Sequence, residues 1–147
     1  MFTKNLTKFE EIEHTADIGI FARGDTLPEL IANLSFGMLH IITGEIEVQT
    51  INKRTIKVES PSLIDMIVGW LSEINFLLIV NHFFVTGIDM IKIDQIFGNF
   101  IISADLYGKK SKSIESTFKT EIKAVTYHKL ICEKRNDEYI GQVIFDI

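Results

Sequence analysis

The chain has 147 residues, 46% of them hydrophobic and 24% charged, and a formal net charge of −5. That length fits one domain, residues 1–147, burying roughly 70% of its unfolded surface, and the composition excludes a disordered chain. The acidic balance excludes a protein that grips nucleic acid with its whole surface, which needs a basic footprint.

Met1 to Lys8 is polar and lacks the apolar centre of a signal peptide. Phe9 to Glu13 predicts a short strand, and His14 to Asp17 a turn or bulge. Ile18, Ile20 and Ala22 alternate with Gly19, Phe21 and Arg23, which predicts a second strand ended by Gly24-Asp25. Thr26, Pro28 and Glu29 then form a helix start close to a capping box. Leu27, Leu30, Ile31, Leu34 and Met38 keep helical spacing, so a helix is expected over about 27–43, stopped by Gly44. Glu45 to Thr50 and Arg54 to Ser60 predict two strands around Ile51-Asn52-Lys53.

Ser60-Pro61 predicts the start of a second helix over about 61–80, with Leu63, Ile67, Trp70, Ile74 and Leu77 as its apolar stripe. Leu63 to Val80 is near the lower length limit of a membrane span (~17–25 residues). Asp65 and Glu73 would be costly inside a bilayer, so the stretch reads as a helix packed in a core, with no membrane involved. From His82 onward the pattern is strand. Phe83 to Asp94 and Phe100 to Gly108 predict a hairpin with Gly98-Asn99 at its tip, followed by a basic loop over 108–113. Phe118 to Glu133 predicts one long strand, with Ile122, Ala124, Thr126 and His128 on one parity. Arg135 to Glu138 is a turn, and Tyr139 to Asp146 the closing strand. Neighbouring strands joined by short turns predict an α+β fold, mostly antiparallel sheet with two principal helices. No internal repeat, low-complexity tract or linker interrupts it.

Several motifs fail on chemistry. Gly19 to Thr26 nearly matches a phosphate loop, but Asp25 stands where the lysine should be and would repel phosphate. His128 and Cys132 share a strand parity, yet four strand residues span about 13 Å, too far for one zinc ion. Cys132 is also the sole cysteine, which fits a reducing compartment such as the cytoplasm. No G-x-S-x-G elbow is present. His40 and His82 lie near predicted helix ends, where histidine is commonly a capping partner. Lys109, Lys110 and Lys112 lack interleaved aromatics and read as a solvated tip.

The two ends of the pattern draw more attention. Val143-Ile144-Phe145-Asp146-Ile147 is apolar up to Asp146, where most domain ends are loose and polar. Asp146 and an Ile147 α-carboxylate carry two negative charges, and Asp17 adds a third if it faces them. Converging carboxylates rise in pKa or share a cation, and an oxygen-only set suits Ca²⁺, Mg²⁺ or Mn²⁺. The alternative is a strand that ends there with Asp146 solvated.

Four stretches together resemble the archease family: Glu13-His-Thr-Ala-Asp-Ile-Gly-Ile20, Val68-Gly-Trp-Leu-Ser-Glu73, Ile122-Lys-Ala-Val-Thr-Tyr-His128 and the terminal Val143-Ile-Phe-Asp-Ile147. The resemblance runs from about Phe9 to the last residue. It implies a protein that is not itself the catalyst but activates the RtcB-type RNA ligase of tRNA splicing and RNA repair, promoting its guanylylation and its repeated turnover. It also implies a divalent cation, calcium first, held by Asp17, Asp146 and the Ile147 carboxylate, with His14, Lys123 and His128 as candidate orienting residues. Direct nucleic-acid binding is not expected. One departure stands out: Ser116 occupies a place where many relatives carry histidine, beside an unusually basic 108–112 loop.

Two other classes compete with that expectation. A stand-alone metal-dependent phosphohydrolase or RNA end-processing enzyme would use the same carboxylates, although no nucleophile or phosphate cradle is evident. A chaperone-like interaction module would need no metal.

Overall fold

The computed structural model describes residues 1–13 and 16–147. In chain order the elements are β1 (Phe2–Thr3), β2 (Phe9–Glu13), β3 (Asp17–Gly24), α1 (Leu27–Thr43), β4 (Asn52–Ser60), α2 (Leu63–Ile79), β5 (Phe83–Ile96), β6 (Asn99–Lys110), a 3-10 helix (Lys112–Thr117), β7 (Ala124–Val125), β8 (Ile131–Arg135) and β9 (Glu138–Asp146). The fold is α+β, and every strand pair is antiparallel. One sheet has the order β1-β5-β6-β4. The other runs β2-β3-β9, and both β7 and β8 pair with the far edge of β9.

Helix α1 begins where the sequence predicts. The Thr26 hydroxyl accepts the Glu29 N–H at 3.2 Å, and the Glu29 carboxylate reaches back to the Asp25 N–H. Gly44 ends the helix at φ 66°, a conformation that costs glycine little, and donates its N–H to His40 O at 2.7 Å. From Leu30 to Leu39 the side chains of α1 are buried on every face, so the helix is an interior one covered on all sides. It approaches β3 closely: a Cβ at Gly37 would lie 2.8 Å from Ile20 Cγ2. Helix α2 packs on β4, β5 and β6, and Trp70 ties it to α1 by donating its Nε1–H to Ser35 Oγ at 2.9 Å.

Five local expectations are corrected. Residues 45–51 form no strand; Ile46 and Val48 pack against the core while the β6 edge is taken only from Asn52 onward. The cap of α2 is Ser62, not Ser60: its Oγ accepts the Asp65 N–H, and Ser60-Pro61 ends β4 and turns the chain. The β5–β6 tip is Phe97-Gly98, both at positive φ, because Ile96 pairs directly with Asn99. The 108–113 stretch is not a loop throughout, since β6 continues to Lys110 and the 3-10 helix starts at Lys112. Phe118 to Glu133 is not one strand. A straight continuation of β7 would set His128 opposite Gln142, but Ile131 stands there. The chain therefore leaves the sheet between Val125 and Ile131 and rejoins it. Of the expected turn at His14 to Asp17, His14 and Thr15 lie outside the described residues, and Asp17 already belongs to β3.

Candidate functional site

Strands β3 and β9 pair along their whole length, from Gly24 opposite Tyr139 to Asp17 opposite Asp146. Hydrophobic alternation fixes this register. Ile18, Ile20 and Ala22 face Phe145, Val143 and Gly141 on the helix side, so Asp17 and Asp146 share the outer side. Directly opposed residues of an antiparallel pair have Cβ atoms about 4.5–5.5 Å apart, and like charges so placed repel. Asp17 is half-buried and Asp146 exposed. The Asp17 Oδ1 is buried and has no hydrogen-bond partner among the described residues. A buried anionic oxygen without a donor is costly unless something positive meets it.

The described residues hold no cluster of three or more His, Cys, Asp or Glu side chains suited to a metal ion. The side chains therefore supply a pair of carboxylates, and the remaining candidate oxygens are main-chain ones at Ile147, which is 42% exposed. The donor set is all oxygen and one of its atoms is orphaned. It fits a hard divalent cation and does not fit zinc, which prefers nitrogen and sulfur. Cys132 sits on β8 opposite Gly141, half-buried, where burial pushes its thiol pKa up, and His128 lies off the sheet. Gly19 to Gly24 is regular strand, so no phosphate loop forms there.

Of the candidate orienting residues, Lys123 acts through its backbone: its N–H donates to Asp146 O at 2.8 Å. Its side chain is exposed. His128 is exposed in the excursion between β7 and β8, with its N–H donating to Thr126 Oγ1 at 3.3 Å. It stands outside β7, which covers Ala124–Val125. His14 lies outside the described residues.

What the sequence reading missed is how the 122–127 segment is held. Thr126 gives both its N–H and its hydroxyl to Ile144 O, at 3.1 and 2.7 Å. Asn75 Nδ2 donates to Ile122 O at 3.1 Å. Tyr127 donates its hydroxyl to Asp65 Oδ1 at 2.6 Å, while Ser62 Oγ donates to the other oxygen at 2.7 Å. The cap of α2 and the end of β9 are thus stapled through one short segment. The signal was available: Asp65 three residues after Ser62 is a cap pattern, and Tyr127 lies in a hydroxyl-rich stretch.

The staple has a pH signature. The Tyr127 hydroxyl, then Ser62, hold the Asp65 carboxyl below its usual range, and the same bond raises the Tyr127 phenol. A lowered carboxyl contributes stability above its unfolded pKa of about 3.9, lost as pH falls through the folded value. A raised phenol contributes below about pH 10, lost as pH rises through its folded value. Between those limits the contribution is flat. In Tyr127→Phe the Asp65 pKa is expected to move back up, as read by carboxyl carbon NMR titration; an unchanged Asp65 titration would show that the bond does not persist in solution.

Comparison with known proteins bears on the whole chain. The profile of the Archease protein family matches residues 9–147. An archease of Methanosarcina acetivorans is 37% identical over 142 residues, 95% of this chain and 96% of that protein. An archease of Pyrococcus furiosus is 31% identical over 143 residues, 97% of this chain and 100% of that protein. Among solved structures, a Methanobacterium thermoautotrophicum protein shares the fold at TM-score 0.82 and 24% identity, covering 97% of this chain and 100% of its own. The crystal structure of a Thermotoga maritima archease, described as a possible chaperone, matches at TM-score 0.54 and 25% identity, covering 92% and 94%.

Proposed function

The chain belongs to the archease family, and on that premise we propose that it is a non-catalytic activator of an RtcB-type RNA ligase in the cytoplasm. It promotes guanylylation of the ligase and its multiple turnover in tRNA splicing and RNA repair. The observation that carries the reading is the register pair Asp17–Asp146 with its unpartnered buried oxygen. In this reading Asp17, Asp146 and the Ile147 carboxylate hold a divalent cation, Ca²⁺ first and Mg²⁺ or Mn²⁺ next. When bound at the ligase mouth, such an ion supplies neutralisation of triphosphate charge.

The chain's own residues do the positioning. The central strands β3 and β9 hold the two carboxylates on one face of a rigid sheet. The Lys123 amide and the Thr126 hydroxyl fix the carbonyls of Asp146 and Ile144, so the end of β9 does not fray. The described residues include no helix long and apolar enough to cross a membrane.

The test is guanylylation of a cognate ligase with GTP and a divalent metal, with and without the chain, and with a variant extended by one residue beyond Ile147. The expected result is acceleration by the native chain and roughly a tenfold or greater loss with the extension, since the added residue removes the Ile147 carboxylate. Equal acceleration by both removes Ile147 from the ligand set. No acceleration by either, together with hydrolysis of GTP or of phosphorylated RNA ends by the chain alone, makes it an enzyme.

A further inference from the structure

The sheet β1-β5-β6-β4 ends on β4, and the far edge of that strand is bare. Among the described residues, 53–59 make no backbone hydrogen bond on that side. The edge is nine residues long, pairs with β6 residue for residue without a bulge, and holds no proline. Edges of this kind recruit other strands unless they are interrupted, covered or charged. Here the guard is charge: Lys53, Lys57 and Glu59 lie on the outer face with Thr55, which donates to Asp105. Ile56 and Val58 turn to the core, and Arg54 shares their parity.

Opposed residues of an antiparallel pair point to the same face, so two β4 edges can meet only odd with odd and even with even. In the full-length register Ile56 faces itself on a two-fold axis. Lys53 then faces Glu59 twice, Thr55 faces Lys57, and the Arg54 stem lies beside Val58. The smallest slip that keeps the faces is two residues. It sets Lys53 against Lys57 in one direction and Lys57 against itself in the other. The edge therefore matches itself in one register and repels itself in the neighbouring ones. Glu59, moreover, has no ion-pair partner in its own chain among the described residues. The β2 edge contrasts with this: Glu10, Glu11 and Glu13 oppose glutamate to glutamate in every self-register that keeps three residues paired.

We propose that two copies of this chain associate through antiparallel pairing of their β4 edges about Ile56, joining two four-stranded sheets into one. The partner's charge and surface are this chain's own. Asp17 and Asp146 belong to the other sheet and take no part.

Sedimentation equilibrium of the full chain over a range of concentrations tests it. The native chain is expected to show a reversible monomer–dimer equilibrium, weak because one strand edge buries less than a standard interface. Glu59→Lys sets lysine against lysine twice and should raise the dimer dissociation constant roughly tenfold or more. It does so although a less acidic chain repels its copies less overall. Asp137→Lys at the β8–β9 turn makes the same charge change and should not weaken the dimer. Lys53→Glu combined with Glu59→Lys in one chain restores the opposition and should restore the dimer. Amide hydrogen exchange needs no variant: protection along 53–59 should rise with protein concentration. A native chain that stays monomeric, protection of 53–59 independent of concentration, or Glu59→Lys dimerising like the native chain overturns the proposal. A folded charge-swapped chain that stays monomeric overturns the register.

Discussion

Asp17→Ala is expected to lower the chain's affinity for Ca²⁺ by roughly a hundredfold or more without lowering its stability in the absence of metal. The two halves of that expectation have one source. Asp17 and Asp146 are direct cross-strand partners, so without a cation they repel, and removing one relieves the repulsion. The Asp17 Oδ1 also makes no compensating hydrogen bond among the described residues, so its loss leaves no donor stranded there. A carboxylate kept for structure would behave in the opposite way, its removal costing stability with or without metal. Thermal melts with and without Ca²⁺ separate the cases. At a free Ca²⁺ concentration 100 times its Kd the native chain should gain about 2.7 kcal/mol. That corresponds to a melting shift of roughly 5–10 °C for a chain of this size, and Asp17→Ala should show almost none of it. A calcium-dependent shift retained in full by Asp17→Ala would remove Asp17 from the site.

Trp70→Ala is expected to be the most damaging single substitution in the core, costing about 3–5 kcal/mol. Trp70 is fully buried and lies where α2 meets α1. Its truncation opens a cavity between two helices that are themselves held by sheets on their far sides, so little collapse can fill it. The indole also has a specific partner, because its Nε1–H is donated to Ser35 Oγ, which in turn donates to Ile31 O at 2.7 Å. Trp70→Phe keeps much of the apolar volume but loses that donor, and about 1–3 kcal/mol should go with it. Urea midpoints of the two variants give the comparison, with the slope of the transition unchanged if both remain two-state. A Trp70→Ala cost below 1 kcal/mol would mean that the helix–helix contact carries little of the stability.

The first helix was legible from sequence because its start and stop are both written locally. Thr26 with Glu29 caps one end, Gly44 ends the other, and no tertiary contact was needed to read either. The β5–β6 hairpin was legible in outline, but its tip was misplaced by one residue. Asn or Gly is the usual first residue of such a turn, and here Phe97 takes the positive φ instead. The break between β7 and β8 could not be read at all. Ile122, Ala124, Thr126 and His128 keep strict alternation, yet the extra residues in the register and the bonds to Ile144, Asp65 and Asn75 depend on segments far away in sequence. Pattern reports which side chains prefer burial; it does not report where a neighbouring strand has room. At the candidate site the chemistry of Asp17 and Asp146 was legible as residue type. Their opposition is a register fact, and it follows from the apolar partners Ile18 to Ala22 and Gly141 to Phe145 rather than from the carboxylates themselves.

The pairing of β3 with β9 joins residue 17 to residue 146, so the two inner strands of this sheet come from segments far apart in sequence. During synthesis at ~5–20 residues per second, the edge of β3 waits roughly 6–25 s for its partner to be made. A β2–β3 hairpin formed before then would hold Ile18, Ile20 and Ala22 with one open hydrogen-bonding edge, the kind of edge that recruits foreign strands. The unpaired β3 edge is therefore an aggregation liability until β9 is made, and the strand that covers it is the same one that carries Asp146. Copies lacking β9 would present neither a covered β3 edge nor a pair of facing carboxylates.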